Sequence, residues 1–249
     1  MQPIILAAGK GTRMRSALPK TLFKIEGKPM LDHILETVAS VPELAQPIIV
    51  VGHGSEDIKA HLGGSFTFAH QAELNGTGGA VKVTLPHLPK KGYVFILYGD
   101  QPFMRPDTLE AMVKLCSEKQ PTLVQSTVFL PDFKDWRVVF NAYGRIIRGR
   151  NGTIEKIVEY KSASEEERAV TEVNPGIVAI DAAWLHEAIH RITANPVTGE
   201  YYLTEILAIA KAEGKTVETL SFSASEALGI NSPEDAEFAL AVVAEESVS

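Results

Sequence analysis

The chain has 249 residues, 45% apolar and 22% charged, which is enough to bury a substantial core and excludes disordered, collagen-like and coiled-coil classes. A single cysteine, Cys116, excludes an intrachain disulfide and a cysteine-rich zinc site and suits a reducing cytoplasm; no run approaches about 18 apolar residues, and the start lacks a signal-peptide pattern. The net charge of −7 excludes a general nucleic-acid or anionic-membrane binder, yet between Lys10 and Lys28 six cations face one acid, a local +5 that leaves −12 for the remainder and suits a small anionic ligand.

Along the chain, the apolar run Ile4-Ile5-Leu6 predicts a buried strand that delivers a glycine loop at Gly9 and Gly11. Met30, Leu31, Ile34, Leu35 and Val38 recur at helical spacing, followed by a strand over 48–51, a helix over 55–62 and a strand over 66–70. Next come a helix from Thr77, a strand over 93–98 ending in Gly99-Asp100, and a helix opened by Pro106-Asp107. This alternation implies parallel crossovers and a Rossmann-like, doubly wound α/β sheet. After Thr122, strand-like runs at 122–130, 136–141, 144–149 and 153–160 have no helix between them, and Asn151-Gly152 signals a hairpin, so an antiparallel insertion is expected and the sheet is mixed. The acidic stretch 164–170 reads as a solvated helix or loop, 173–180 as a strand, 182–192 as a helix and 195–199 as a turn. A helix over 203–213 stops at Gly214, a strand covers 216–223, and Ser232-Pro-Glu-Asp235 is a capping box for the last helix. No repeat or flexible linker divides the chain, so 1–249 is expected to form one domain.

The segment with most chemical content is Leu6-Ala7-Ala8-Gly9-Lys10-Gly11-Thr12-Arg13-Met14, with Leu18-Pro19-Lys20 shortly after. Small residues let backbone N–H groups approach phosphate oxygens, while Arg13 and Lys20 can neutralise charge directly, so the loop reads as a polyphosphate cradle. It is not a Walker A loop, and Met14 stands where a dinucleotide fingerprint needs its third glycine. Asp100, at the carboxyl end of an apolar strand, can hold Mg²⁺ against phosphate.

These motifs resemble the signature of the sugar-nucleotide pyrophosphorylase (nucleotidyltransferase) family, in its N-acetylglucosamine-1-phosphate uridylyltransferase branch. The resemblance extends in order through Gln71-Ala-Glu, Gly76-Thr77-Gly78, Tyr98-Gly99-Asp100, Tyr143-Gly144-Arg145, Ile157-Val158-Glu159, Glu172-Val173-Asn174-Pro175-Gly176, Gly199-Glu200-Tyr201-Tyr202-Leu203-Thr204 and Gly229-Ile230-Asn231. It implies a nucleotide-diphospho-sugar transferase fold, with a nucleotide-binding half over 1–121, a sugar-binding half over 122–231 and a C-terminal helix over 232–249. Nucleotide binding falls to Leu6, Ala7, Ala8, Gly9, Lys20, Gln71, Gly76 and Thr77, and the sugar to Gly144, Glu159, Asn174, Tyr202 and Thr204. Arg13, Lys20 and Asp100 become catalytic, and Asn231 joins Asp100 as a second Mg²⁺ ligand. A Gln amide offers a base edge both a donor and an acceptor.

The chain departs from the family's pattern at several points. Leu74-Asn75 precede Gly76, Gly79 replaces a usual His, Ser162 follows Lys161 where an Asp is usual, Gln101 follows Asp100, and 130–141 is longer than usual. His186-Glu187-Ala188-Ile189-His190 matches a zinc-protease pattern, but Leu185, Ala188, Ile189 and Ile192 define a buried face and no third ligand is evident.

The expected activity is Mg²⁺-dependent transfer from UTP to N-acetylglucosamine 1-phosphate in the cytoplasm. Its partners would be the nucleoside triphosphate and sugar 1-phosphate, with no nucleic acid or membrane, in a monomer or weak oligomer. The alternatives are another sugar-1-phosphate or phosphoalcohol nucleotidyltransferase of the same fold, and a catalytically silent nucleotide-sugar-binding regulatory protein. The sequence given extends one helix beyond Asn231, so the β-helix acetyltransferase domain of bifunctional family members is not expected within it.

Overall fold

The computed structural model describes residues 1–246 apart from 17 and 197. In chain order the first part runs β1 (Gln2–Leu6), the small hairpin β2 (Lys24–Ile25) and β3 (Lys28–Pro29), α1 (Met30–Ala39), β4 (Ile48–Val51), α2 (Ser55–Leu62), β5 (Thr67–His70), α3 (Thr77–Lys82), β6 (Tyr93–Tyr98) and α4 (Pro106–Lys119). The remainder runs β7 (Leu123–Phe129), β8 (Gly144–Arg148), β9 (Ile154–Val158), α5 (Glu165–Arg168), β10 (Glu172–Asn174), β11 (Val178–Asp181), α6 (Ala182–Ala188), α7 (Glu205–Ala212), β12 (Val217–Ser221) and α8 (Pro233–Glu246).

Ten strands form one mixed sheet in the order β5-β4-β1-β6-β11-β7-β10-β8-β9, with β12 added beside β7. The first four are parallel, and β11 then runs antiparallel between β6 and β7. Alternate residues of the parallel strands enter two cores. Ile4, Val50 and Ile96 face Val81, Leu185 and Leu207, while Ile5, Val51 and Leu97 face Leu31, Ile58 and Met112. Both faces are therefore dry, which is why these strands read as unbroken apolar runs. A third core, containing Val128, Phe140, Val173, Ile230 and Ala239, joins the antiparallel part of the sheet to α8.

The chain leaves β1 towards β4 and β5 on one side and reaches β6 on the other, so the strand order reverses at β1. Open α/β sheets form a crevice at the carboxyl ends of the strands beside such a reversal. Leu6 is in register with Tyr98 there, placing the loop after β1 next to Gly99-Asp100.

Three expectations are corrected. Residues Asp135–Ala142 form a 3-10 segment rather than a strand. Asp132 accepts from the Lys134 N–H and from Arg137 Nε, and Trp136 meets Phe140 edge-on at 6.1 Å, a contact that helical rather than strand spacing provides. The expected strand over 173–180 is broken at Pro175-Gly176, where Asn174 Oδ1 accepts the Gly176 N–H, and its halves lie on opposite sides of β7. Ser232 Oγ does accept the Asp235 N–H, but the Asp235 carboxylate accepts from the N–H of Asn231 rather than of Ser232. The turn over 195–199 and the last helix over 232–249 each lie partly outside the described residues.

One buried carboxylate joins distant elements. Glu226, 1% exposed, accepts from the Arg105 N–H at 3.0 Å, Arg105 Nη2 at 2.9 Å and Thr108 Oγ1 at 2.7 Å, and so caps α4, whose own first residues supply no side-chain cap. Glu226→Ala is expected to cost about 3 kcal/mol of stability, because buried donors lose their acceptor. Urea unfolding checks this, and a midpoint equal to the parent's would refute the capping role.

Candidate functional site

The crevice at the carboxyl ends of β1 and β6 is an open cleft of about 420 Å³. Leu6, Ala7, Ala8, Gly9 and Arg13 line it from the first loop, Lys20 from the 3-10 turn Lys20–Leu22, Gln71 from the end of β5, and Gly76 and Thr77 from the entry to α3. Asp100, Tyr202 and Asn231 complete this set, so twelve of the sequence-derived site residues converge on one cleft. Gly144, Glu159, Asn174 and Thr204 do not line it and form a neighbouring group. Thr204 Oγ1 donates to Glu159 Oε1 at 3.2 Å, and Gly144 lies opposite Asn174 in the sheet. Asn174 Oδ1 is occupied by Gln125 Nε2 and the Gly176 N–H, leaving its amide nitrogen to make further contacts.

Lys20 is the structural centre of the cleft. Its ammonium donates to Asp100 Oδ2 at 2.5 Å and to Asn231 Oδ1 at 2.6 Å. Gly11 has φ +59, and a Cβ there would lie 2.5 Å from Lys20 Cβ, so the loop can fold back onto the lysine only through glycine. Asn231 is fixed from behind by the cap of α8 and by its own Nδ2–H to Gly229 O bond, which leaves Oδ1 aimed at Lys20. The N–H groups of Gly9, Lys10 and Gly11 have no acceptor among the described residues and can receive phosphate oxygens.

The same geometry tests whether the residues suit Mg²⁺. Asp100 Oδ2 and Asn231 Oδ1 converge on the Lys20 ammonium, and such a pair of hard oxygen donors is of the chemistry that Mg²⁺ accepts. No group of three or more His, Cys, Asp or Glu that could hold a metal exists among the described residues, so substrate phosphate and water would supply the other ligands. The zinc-protease pattern carries no such site: His186 contacts the Pro89 carbonyl and Lys90, while Leu185, Ala188 and Ile189 enter the core.

The segment carrying Tyr201 and Tyr202 docks on the entry to α3. The Tyr201 N–H donates to Asn75 O at 2.7 Å, the Gly78 N–H to Tyr201 O at 2.8 Å and the Leu203 N–H to Thr77 Oγ1 at 2.9 Å. Gly76, at φ +102, is required because a Cβ would stand 2.6 Å from Tyr201 O. This docking brings Glu200 into the cleft wall beside Tyr202.

Gly11 and Thr12 of the expected phosphate loop also line the cleft, whereas sequence reasoning gave no site role to Thr21, Leu74, Ala80, Tyr98 and Glu200, which line it too. Tyr98 could have been found from its place immediately before Gly99-Asp100. Burial, with the charges of Asp100 and Glu159 alongside, pushes its phenol above the ordinary range, so it stays neutral. Of the cations between Lys10 and Lys28 only Arg13 and Lys20 line the cleft, while Lys28 pairs with Glu36 and Arg15 with Glu234.

A family profile described as the MobA-like NTP transferase domain matches residues 3–146. The chain is 44% identical over 218 residues to the Bifunctional protein GlmU of Alcanivorax borkumensis, covering 87% of this chain and 46% of that protein. It is 39% identical over 232 residues to the Bifunctional protein GlmU of Bacillus subtilis, covering 92% of this chain and 49% of that one. It thus spans about half the length of the curated relatives it matches. The solved structure of UDP-glucose pyrophosphorylase complexed with UDP-glucose shares the fold, with a TM-score of 0.76 over 98% of both chains at 17% identity. No helix among the described residues is long and apolar enough to cross a membrane.

Burial raises the Glu159 carboxyl above its ordinary pKa, with the Thr204 hydrogen bond acting in the opposite direction. The folded protein therefore holds this proton more tightly than the unfolded chain. The stability penalty grows as pH rises from the ordinary carboxylate pKa to the raised native one, and persists in full above it. Glu159→Gln keeps an oxygen for Thr204, so it is expected to melt higher than the parent near neutral pH and to flatten the decline across that interval. Thermal unfolding from about pH 4 to about pH 8 checks this, and a variant melting no higher than the parent at the upper end would refute it.

Proposed function

Because the chain belongs to the MobA-like NTP transferase family and is a nucleotidyltransferase domain, we propose that it transfers uridylyl from UTP to N-acetylglucosamine 1-phosphate and releases pyrophosphate. The observation that carries this reading is the convergence of the glycine loop, Arg13, Lys20, Asp100 and Asn231 at the strand-order reversal. The choice of sugar and base rests on the ordered motif resemblance and on the residues near the cleft.

The sugar phosphate is already an anion near neutral pH, so its oxygen attacks the α-phosphorus without a general base. A new P–O bond forms as the bond from the α-phosphorus to the β-bridging oxygen breaks, and pyrophosphate carries that electron pair away. The free N–H groups of the first loop hold the outer phosphates, and Arg13 and Lys20 offset their charge. Asp100 and Asn231 would hold Mg²⁺, which when bound neutralises charge at the α-phosphate and the attacking oxygen. Gln71, Gly76 and Thr77 read the base. Glu159 accepts from a sugar hydroxyl, the Asn174 amide donates to the sugar, and Tyr202, Thr204 and the Gly144 backbone enclose it. On this reading the partners are small molecules, with neither nucleic acid nor membrane required. The setting is the cytoplasm, as a monomer or weak oligomer.

Pyrophosphate release across a panel of nucleoside triphosphates with sugar 1-phosphates and phosphoalcohols tests the assignment. UTP with N-acetylglucosamine 1-phosphate is expected to give the highest kcat/KM; a higher value for another pair would overturn the substrates, and binding without release would overturn catalysis. Asp100→Ala is expected to lower kcat by at least about 10²-fold with an unchanged circular dichroism spectrum, and Lys20→Ala to lower kcat/KM by a similar factor. Near-parental rates would remove the residue concerned from the reaction.

A further inference from the structure

The amide of Gln71 is not free to present either of its ends. Gln71 is 5% exposed, and its Nε2 donates to Gly76 O at 3.1 Å and to Asn75 Oδ1 at 3.2 Å, which uses both of its hydrogens. Oε1 has no partner among the described residues and is not among their buried unpaired atoms, so it opens into the cleft that Gln71 lines. Asn75 does not line the cleft. Its backbone is pinned by the Asn75 N–H to Glu73 O bond and by the Tyr201 N–H, and its side chain lies over Gly79, where a Cβ would fall 1.8 Å from Oδ1. Asn75 and Gly79 therefore form a matched pair, because the amide can reach Gln71 only while position 79 carries no side chain.

We propose that Asn75, given room by Gly79, is a positioning residue that holds the Gln71 carbonyl towards the nucleobase and so selects bases with a ring N–H at that point. The imide N–H of uracil or thymine supplies that donor. The corresponding ring nitrogen of cytosine carries a lone pair and would face the carbonyl oxygen acceptor to acceptor, leaving a desolvated polar atom without a partner. The sequence-based expectation that Gln71 offers the base both donor and acceptor is thereby narrowed to acceptor alone. This inference rests on the cleft being the nucleotide site.

The test compares UTP and CTP, by calorimetric binding and by kcat/KM, in the parent, Asn75→Leu, Gly79→Ala and Asn75→Asp. The parent is expected to prefer UTP. Asn75→Leu removes the acceptor, and Gly79→Ala displaces the flexible Asn75 side chain, so each is expected to shrink the UTP-to-CTP ratio at least about tenfold, partly through a gain for CTP that general destabilisation would not produce. Asn75→Asp retains an acceptor and is expected to keep the preference for UTP. Ratios unchanged in both Asn75→Leu and Gly79→Ala would overturn the role of Asn75 while leaving the base assignment standing. A parent that prefers CTP would overturn the base assignment itself.

Discussion

The rest of the site depends on one ammonium group. Lys20 Nζ, only partly exposed, needs acceptors to replace the water it has lost, and finds them in Asp100 and Asn231, 80 and 211 residues further along the chain. Each contact presupposes a different piece of architecture. Asp100 requires β6 to run parallel beside β1, Asn231 requires α8 to be capped as it is, and the lysine itself requires Gly11 beneath the loop. The bridge thus fastens the parallel sheet, the glycine loop and the final helix at one point.

Charge is distributed to serve that point. An acidic protein keeps two of its local cluster of cations in the cleft, and its surface carboxylates Glu36 and Glu234 hold two others at the periphery. Such exposed pairs contribute little stability. Tyr98, held neutral in the wall, adds no charge to compete with an anionic substrate.

The parallel half was legible because its inner strands are buried on both faces and therefore spell themselves as apolar runs, as Ile48–Val51 and Tyr93–Tyr98 do. Asp100, Lys20 and the glycine loop were legible because small, basic and acidic residues at the ends of such runs have few structural uses in that combination. The segment Asp135–Ala142 was misleading because its aromatic and β-branched residues imitate a strand, while the contacts that decide its form, Asp132 with Arg137 and Trp136 with Phe140, depend on turn geometry. The break was signalled by Asn174-Pro175-Gly176, but Val173 before it and Ile177 and Val178 after it let the whole stretch read as one strand. Asn75 was visible only as a departure from a pattern, because its effect is exerted through the orientation of a neighbouring amide that spacing does not encode.

The place of Asn231 in the cleft also has a consequence for how the protein is made. Chains fold largely in the order in which they leave the ribosome, and the parallel core built from the first strands can form early. The lysine, however, gains its second acceptor only after residue 231 has emerged and α8 has closed over Val128 and Val173. Until then the nascent chain carries a phosphate-sized cradle without its full oxygen set. Completion of the oxygen set is coupled to burial of the third core, so a chain too damaged to complete that core is also unable to complete the site.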